Sequence, residues 1–90
     1  MKSDAEQISQ LLQQAVDHGD ADRVARLAEQ RLRLAPHDGR VHEEIGLAFH
    51  EINRPGRAQE LLELAQLMVP LKPEAELALA ECHIKFDKPD

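Results

Sequence analysis

Apolar residues recur along this chain at intervals of three and four, interrupted at regular places by glycine, proline and aspartate. Ile8, Leu11, Leu12, Ala15 and Val16 form one such stripe, and the spacing predicts an amphipathic helix. Ser3 and Glu6 stand in capping-box spacing at its start. His18-Gly19-Asp20 breaks the run, with Gly19 suited to a left-handed C′ position and Asp20 to capping the next helix. Val24, Leu27, Ala28, Leu32 and Ala35 predict a second helix that stops at Pro36. Asp38 opens a third, with Val41, Ile45, Ala48, Phe49 and Ile52 on its apolar face. Pro55 suits the first position of a fourth, lined by Ala58, Leu61, Leu62, Ala65 and Met68. Pro73 opens a fifth, running to about Lys85, and the tail Phe86–Asp90 is expected to fray. The connections are short, which favours antiparallel neighbours.

The breaks repeat. Pro36 and Pro70 stand 34 residues apart, each closing a helix–turn–helix unit. Such a period signals stacked helical hairpins. The units are 5–38 and 39–72, followed by a half-unit, 73–86, within one domain spanning 1–90. The second unit resembles a tetratricopeptide repeat, whose pattern runs W-x₂-L-G-x₂-Y, then A-x₃-F, then P. Ile45 and Gly46 match the Leu-Gly pair, Phe49 replaces the tyrosine, Ala58 matches the alanine, Leu62 takes the phenylalanine place and Pro70 matches the proline. His42 in the tryptophan place is a departure. Gly46 and Ala58 are small enough to let two helices approach closely, with Leu62 and Phe49 filling the wedge. The first unit matches less well, and its Arg31 falls where the family prefers alanine, so that it either snorkels outward or loosens that contact.

The resemblance implies an all-α fold, a right-handed superhelix of antiparallel hairpins with five helices. It also implies a role in binding a peptide or helix along a concave groove lined by the first helix of each unit. Projected onto this chain, that groove takes Glu6, Ser9, Gln13 and Val16 from the first helix. The third helix supplies Arg40, Glu43, Leu47 and His50, and the fifth supplies Glu74, Leu77, Glu81 and Ile84. Leu47 lies off its helix's core stripe and needs another reason to be there. An apolar strip flanked by acids suits a partner with apolar anchors and some basic residues. Some family members hold a partner's C-terminal carboxylate with a Lys, Asn and Arg clamp. Ser9, Gln13, Leu47, Leu77 and Glu81 occupy the comparable places here, so acidic C-terminal peptides are expected to bind poorly.

The fifth helix is apolar on more than one face. Leu77 and Leu79 cannot share one narrow stripe, so part of this helix should be exposed in a monomer. Leu77, Leu79 and Ile84 are therefore candidates for self-association or docking on another chain.

Charge narrows the partner. Seventeen acids against eleven bases give a net charge of −6, which argues against nucleic acid and against an anionic membrane surface. No stretch approaches a membrane span. The opening MKSDAEQISQ has no apolar signal core, and the single cysteine, Cys82, forms no internal disulfide. A cytoplasmic location is the expectation. Nothing points to a catalytic or cofactor site. No pair among His18, His37, His42, His50 and His83 has the i, i+4 spacing of a helical zinc motif, and no glycine-rich phosphate loop is present. His50 is a candidate to pair with Glu43 or Glu51. The reading is a non-catalytic adaptor or scaffold, with a chaperone of bacterial secretion and a self-assembling structural module as alternatives.

Overall fold

The computed structural model describes residues 3–86. They form five helices: α1 (Asp4–Asp17), α2 (Ala21–Leu34), α3 (Gly39–Glu51), α4 (Pro55–Met68) and α5 (Pro73–Phe86). Phe86 is the last residue of α5, and the remainder of the expected fraying tail lies outside the described residues.

The 34-residue period is present in the backbone. α4 begins and ends 34 positions after α2, and α5 begins 34 positions after α3. The turn inside each hairpin is the same. Gly19 N–H donates to the Val16 carbonyl and Asp20 N–H to the Ala15 carbonyl, while Asn53 N–H donates to His50 and Arg54 N–H to Phe49. Both are Schellman closures, which satisfy carbonyls a helix end would leave unpaired. The C′ residue of each is left-handed, Gly19 at φ 68° and Asn53 at φ 61°. Asparagine is among the few residues with a side chain that enter this region readily.

Local signals set the helix starts. The Ser3 hydroxyl accepts from Glu6 N–H, Asp20 from Arg23 N–H and Asp38 from Arg40 N–H. Pro55 and Pro73 each occupy the first helical position, where a missing N–H costs nothing. Ala35 and Val69, each before a proline, leave the helical region.

The main core gathers Leu12 and Ala15 from α1, Val24, Leu27 and Ala28 from α2, and Val41, Ile45, Ala48 and Phe49 from α3. Ala58 and Leu61 of α4 and Cys82 of α5 join it. A second cluster holds Leu62, Ala75, Ala78 and Leu79, with half-buried Leu47 and Leu71 against it. A Cβ on Gly46 would lie 2.7 Å from the Leu62 Cγ, so the close approach expected of this glycine is real. Gly39 plays a similar part, since its Cβ would lie 2.8 Å from that of Met68. Met68 itself is 42% exposed and Leu11 36%, so neither completes the core as its stripe suggested. His42, in the tryptophan place, is buried and its Nδ1 lies 3.0 Å from the Asp38 carbonyl. A carbonyl only accepts, so Nδ1 carries the hydrogen.

Successive odd-numbered helices touch, α1 with α3 and α3 with α5, whereas α2 and α4 do not meet among the described residues. The stack therefore closes up on its odd-helix side.

Candidate functional site

On that side lies a cleft of about 550 Å³. Ser9, Leu12, Gln13 and Val16 of α1 form one wall. Arg40, Glu43, Glu44, Leu47, Ala48 and Glu51 of α3 form the other, and Lys72 and Glu74 close one end. Leu12, Val16, Leu47 and Ala48 supply apolar surface, with four carboxylates and two cations around them.

Seven of the twelve groove residues named from the sequence line this cleft: Ser9, Gln13, Val16, Arg40, Glu43, Leu47 and Glu74. Glu6 lies outside it on exposed helix surface, engaged in the α1 cap. His50, Leu77, Glu81 and Ile84 also lie outside it. The reason is one of phase. Along α3 the cleft follows the stripe Arg40, Glu44, Leu47 and Glu51, at i, i+4, i+7 and i+11, with Glu43 and Ala48 beside it. His50 is rotated towards α5, where its Nε2 lies 3.3 Å from Glu81 Oε1, so its partner is Glu81 and neither Glu43 nor Glu51. Sequence reasoning missed Leu12, Glu44, Ala48, Glu51 and Lys72. Glu44 and Glu51 were legible in the 40, 44, 47, 51 stripe once Leu47 stood out as off the core, whereas Ala48 belongs to the apolar face assigned to the core. Lys72 belongs to a link whose course periodicity does not describe.

The polar residues divide into those that hold the walls and those that are open. Arg31 of α2 donates from Nε to Ser9 Oγ at 3.2 Å, and Ser9 Oγ donates to Glu44 Oε2 at 2.8 Å. This relay joins three helices through half-buried groups. It corrects the expectation for Arg31, which turns inward to a partner and does not snorkel. Glu43 is only 2% exposed. Its carboxylate accepts Lys72 N–H at 2.7 Å and Arg40 Nη1 at 2.9 Å, so it ties the α4–α5 link to α3. A buried carboxylate needs such donors, and with both in place Glu43 acts as a strut beneath the cleft. Gln13, Glu51, Lys72 and Glu74 are exposed and free to meet a ligand's groups, apart from a Gln13 contact to Asp17 at 3.0 Å.

The proposed interface residues separate. Leu79 is 6% exposed, packed with Leu62, Ala75 and Ala78 of its own chain, so it is removed from the candidate docking face. Leu77 and Ile84 are 64% and 70% exposed. His83 Nε2 lies 3.2 Å from Glu63 Oε2, a second histidine–carboxylate pair anchoring α5, here to α4.

Two other depressions lie elsewhere on the described surface. One, of about 390 Å³, is a shallow notch among Ile8, Leu11 and Leu34. The other, about 450 Å³, lies between the start of α2 and the Phe49–Arg57 contact. Among the described residues no group of three His, Cys, Asp or Glu side chains is placed to hold a metal ion. No described helix is long and apolar enough to cross a membrane. No protein-family model, curated protein or solved structure matches this chain.

Proposed function

We propose that this chain is a non-catalytic interaction module of tetratricopeptide type, an adaptor that binds a peptide or helix of another protein in the cleft between α1 and α3. The observation that carries this reading is the cleft's construction. Successive first helices form both walls, apolar surface lies between them, and a half-buried hydrogen-bond relay through Ser9 and Glu44 joins them. Preformed sites of this kind save the ordering cost of binding. The recurrence of helix ends and Schellman turns at 34 residues supports the repeat reading, and the contact between odd-numbered helices supports a superhelix with its concave side there. The occupant is a segment with an apolar anchor against Val16 and Leu47 and basic residues near Glu51 and Glu74. Glu43, Ser9 and Glu44 set the shape of the site.

Selection of random displayed peptides on the immobilised chain tests this. Selected peptides should perturb the backbone amide signals of residues around Val16 and Leu47. Leu47→Asp should weaken them at least about tenfold, as the loss of a central apolar anchor does. Peptides that bind equally to Leu47→Asp, or that map to the opposite side on α2 and α4, would sink the proposal.

A further inference from the structure

Two stripes run along α3, and Leu47 belongs to both. One follows Arg40, Glu44, Leu47 and Glu51 and lines the cleft. The other, Glu43, Leu47 and His50 at i, i+4 and i+7, meets the α4–α5 link and α5. Glu43 accepts the Lys72 N–H, Leu47 packs against the cluster of Leu62, Ala75, Ala78 and Leu79, and His50 reaches Glu81. One wall of the cleft is therefore backed by α5.

Lys72 is where cleft and helix join. It lies outside any helix. Its carbonyl accepts from Ala75 N–H and Glu76 N–H and so closes the first turn of α5. Its side chain has no oxygen with which to cap that turn. Its own N–H goes to Glu43 Oε2 at 2.7 Å, and it lines the closed end of the cleft with Glu74. The start of α5 and the end of the cleft are thus one piece of backbone, fastened to a carboxylate that is only 2% exposed. The other oxygen of that carboxylate takes Arg40 Nη1 at 2.9 Å. Lifting the link a little would leave a buried carboxylate short of a donor, which is costly. The contact is therefore either fully made or open to water, and positions between are disfavoured.

We propose that Glu43 is a latch that makes the docking of α5 and the closure of the cleft a single two-state event. With α5 docked, Lys72 closes the end of the cleft and Leu47 is supported from behind. With α5 released, that end opens and Leu47 loses part of its backing, so the cleft is no longer preformed. Whatever holds or withdraws α5 regulates the cleft, and by reciprocity an occupant of the cleft holds α5 in place. As a control on binding, the latch rests on the cleft being the ligand site. As a property of the chain it does not, because it is read without a ligand.

Amide hydrogen exchange and amide NMR shifts of the full, unliganded chain test it. Glu43→Gln keeps the shape of the side chain but offers one oxygen to two donors and turns its amide hydrogens on the other. The Lys72 amide should then exchange at least about tenfold faster, as loss of a charge-assisted hydrogen bond predicts, and α5 should quicken with it while α2 does not. Gly19→Ala perturbs the far hairpin turn instead, and should leave Lys72 and α5 within about twofold of the parent. Leu79→Ala loosens α5 from outside the cleft, and decides the question if Glu43→Gln does not fold. In that variant Lys72 should quicken together with α5. The amide signals of Gln13 and Val16 should also shift, although α1 makes no contact with α5 among the described residues. A parent-like Lys72 rate in either variant would overturn the proposal. So would a Lys72 response to Gly19→Ala as large as to Glu43→Gln, or Gln13 and Val16 signals unmoved in Leu79→Ala. The latch and the peptide site stand or fall separately, since none of these readouts involves a peptide.

Discussion

At Gly46 and Gly19 the same residue type answers two different demands. Gly46 sits inside α3, where glycine ordinarily costs about 1 kcal/mol against alanine. It is kept because the Leu62 Cγ and Cδ2 would lie 2.7 and 2.8 Å from a Cβ there, and Leu62 N at 3.3 Å. Leu62 is fully buried and has nowhere to retreat. Overpacking of this kind costs about 1–3 kcal/mol, which outweighs the gain in helix propensity. Gly46→Ala should therefore lower unfolding free energy by about 1 kcal/mol or more. Gly19 has nothing within 4 Å of its virtual Cβ but sits at φ 68°. Gly19→Ala should cost about 1 kcal/mol for the backbone conformation alone. Because the steric cost scales with side-chain size and the conformational one depends on backbone preference, Gly46→Asn should be worse than Gly46→Ala, while Gly19→Asn should be milder than Gly19→Ala. Urea unfolding of the four variants separates the two mechanisms. A Gly46→Ala chain as stable as the parent would mean that α3 and α4 can separate without penalty.

At the scale of elements, α5 is held differently from the rest. It rests on α3 and α4 through Ala75, Ala78 and Leu79 over Leu62, with Cys82 in the main core and the pairs His50–Glu81 and His83–Glu63 at its sides. Both pairs are partly exposed, and exposed ion pairs contribute little, so apolar burial carries the docking. Leu79→Ala should cost about 2–4 kcal/mol and release α5 as a local unit. Amide hydrogen exchange should then quicken across α5 while α1–α3 keep their protection. Uniform quickening along the chain would mean that α5 unfolds only with the whole. The limits of each helix were readable from the sequence because caps, prolines and the Gly19 turn act on their own neighbours. The links between helices were less so. The Arg31–Ser9–Glu44 relay and the Glu43–Lys72 bond join residues far apart in sequence, and they depend on the phase at which one helix meets the next. An error of one position in that phase moved His50 from the cleft to α5. The same phase, read correctly, separates buried Leu79 from open Leu77.

At the scale of the molecule, the proposed binding of a peptide in the cleft turns on charge. The chain carries a net −6, and the cleft walls reproduce that bias with four carboxylates against two cations. Glu43 is spent on Arg40 and the Lys72 N–H, and Glu44 accepts from Ser9. Glu51 and Glu74 remain as the exposed acids of the rim, with Lys72 at the same end as Glu74. Exposed charges act over about a Debye length, roughly 8 Å at physiological salt, so their influence is on encounter and selection more than on final affinity. Peptides selected on the parent chain should accordingly be richer in Lys and Arg than in Asp and Glu, around an apolar anchor. Their association rates should fall several-fold as salt rises from about 50 mM to about 500 mM, with dissociation rates nearly constant. Glu51→Lys with Glu74→Lys should erase the basic preference while leaving the apolar anchor and the fold intact, since neither side chain is buried. Association rates measured on the parent and on this double variant across salt decide the matter. Equal salt slopes would show that the rim charges do not steer the ligand. The apolar surface at Val16 and Leu47 would then have to account for selection alone.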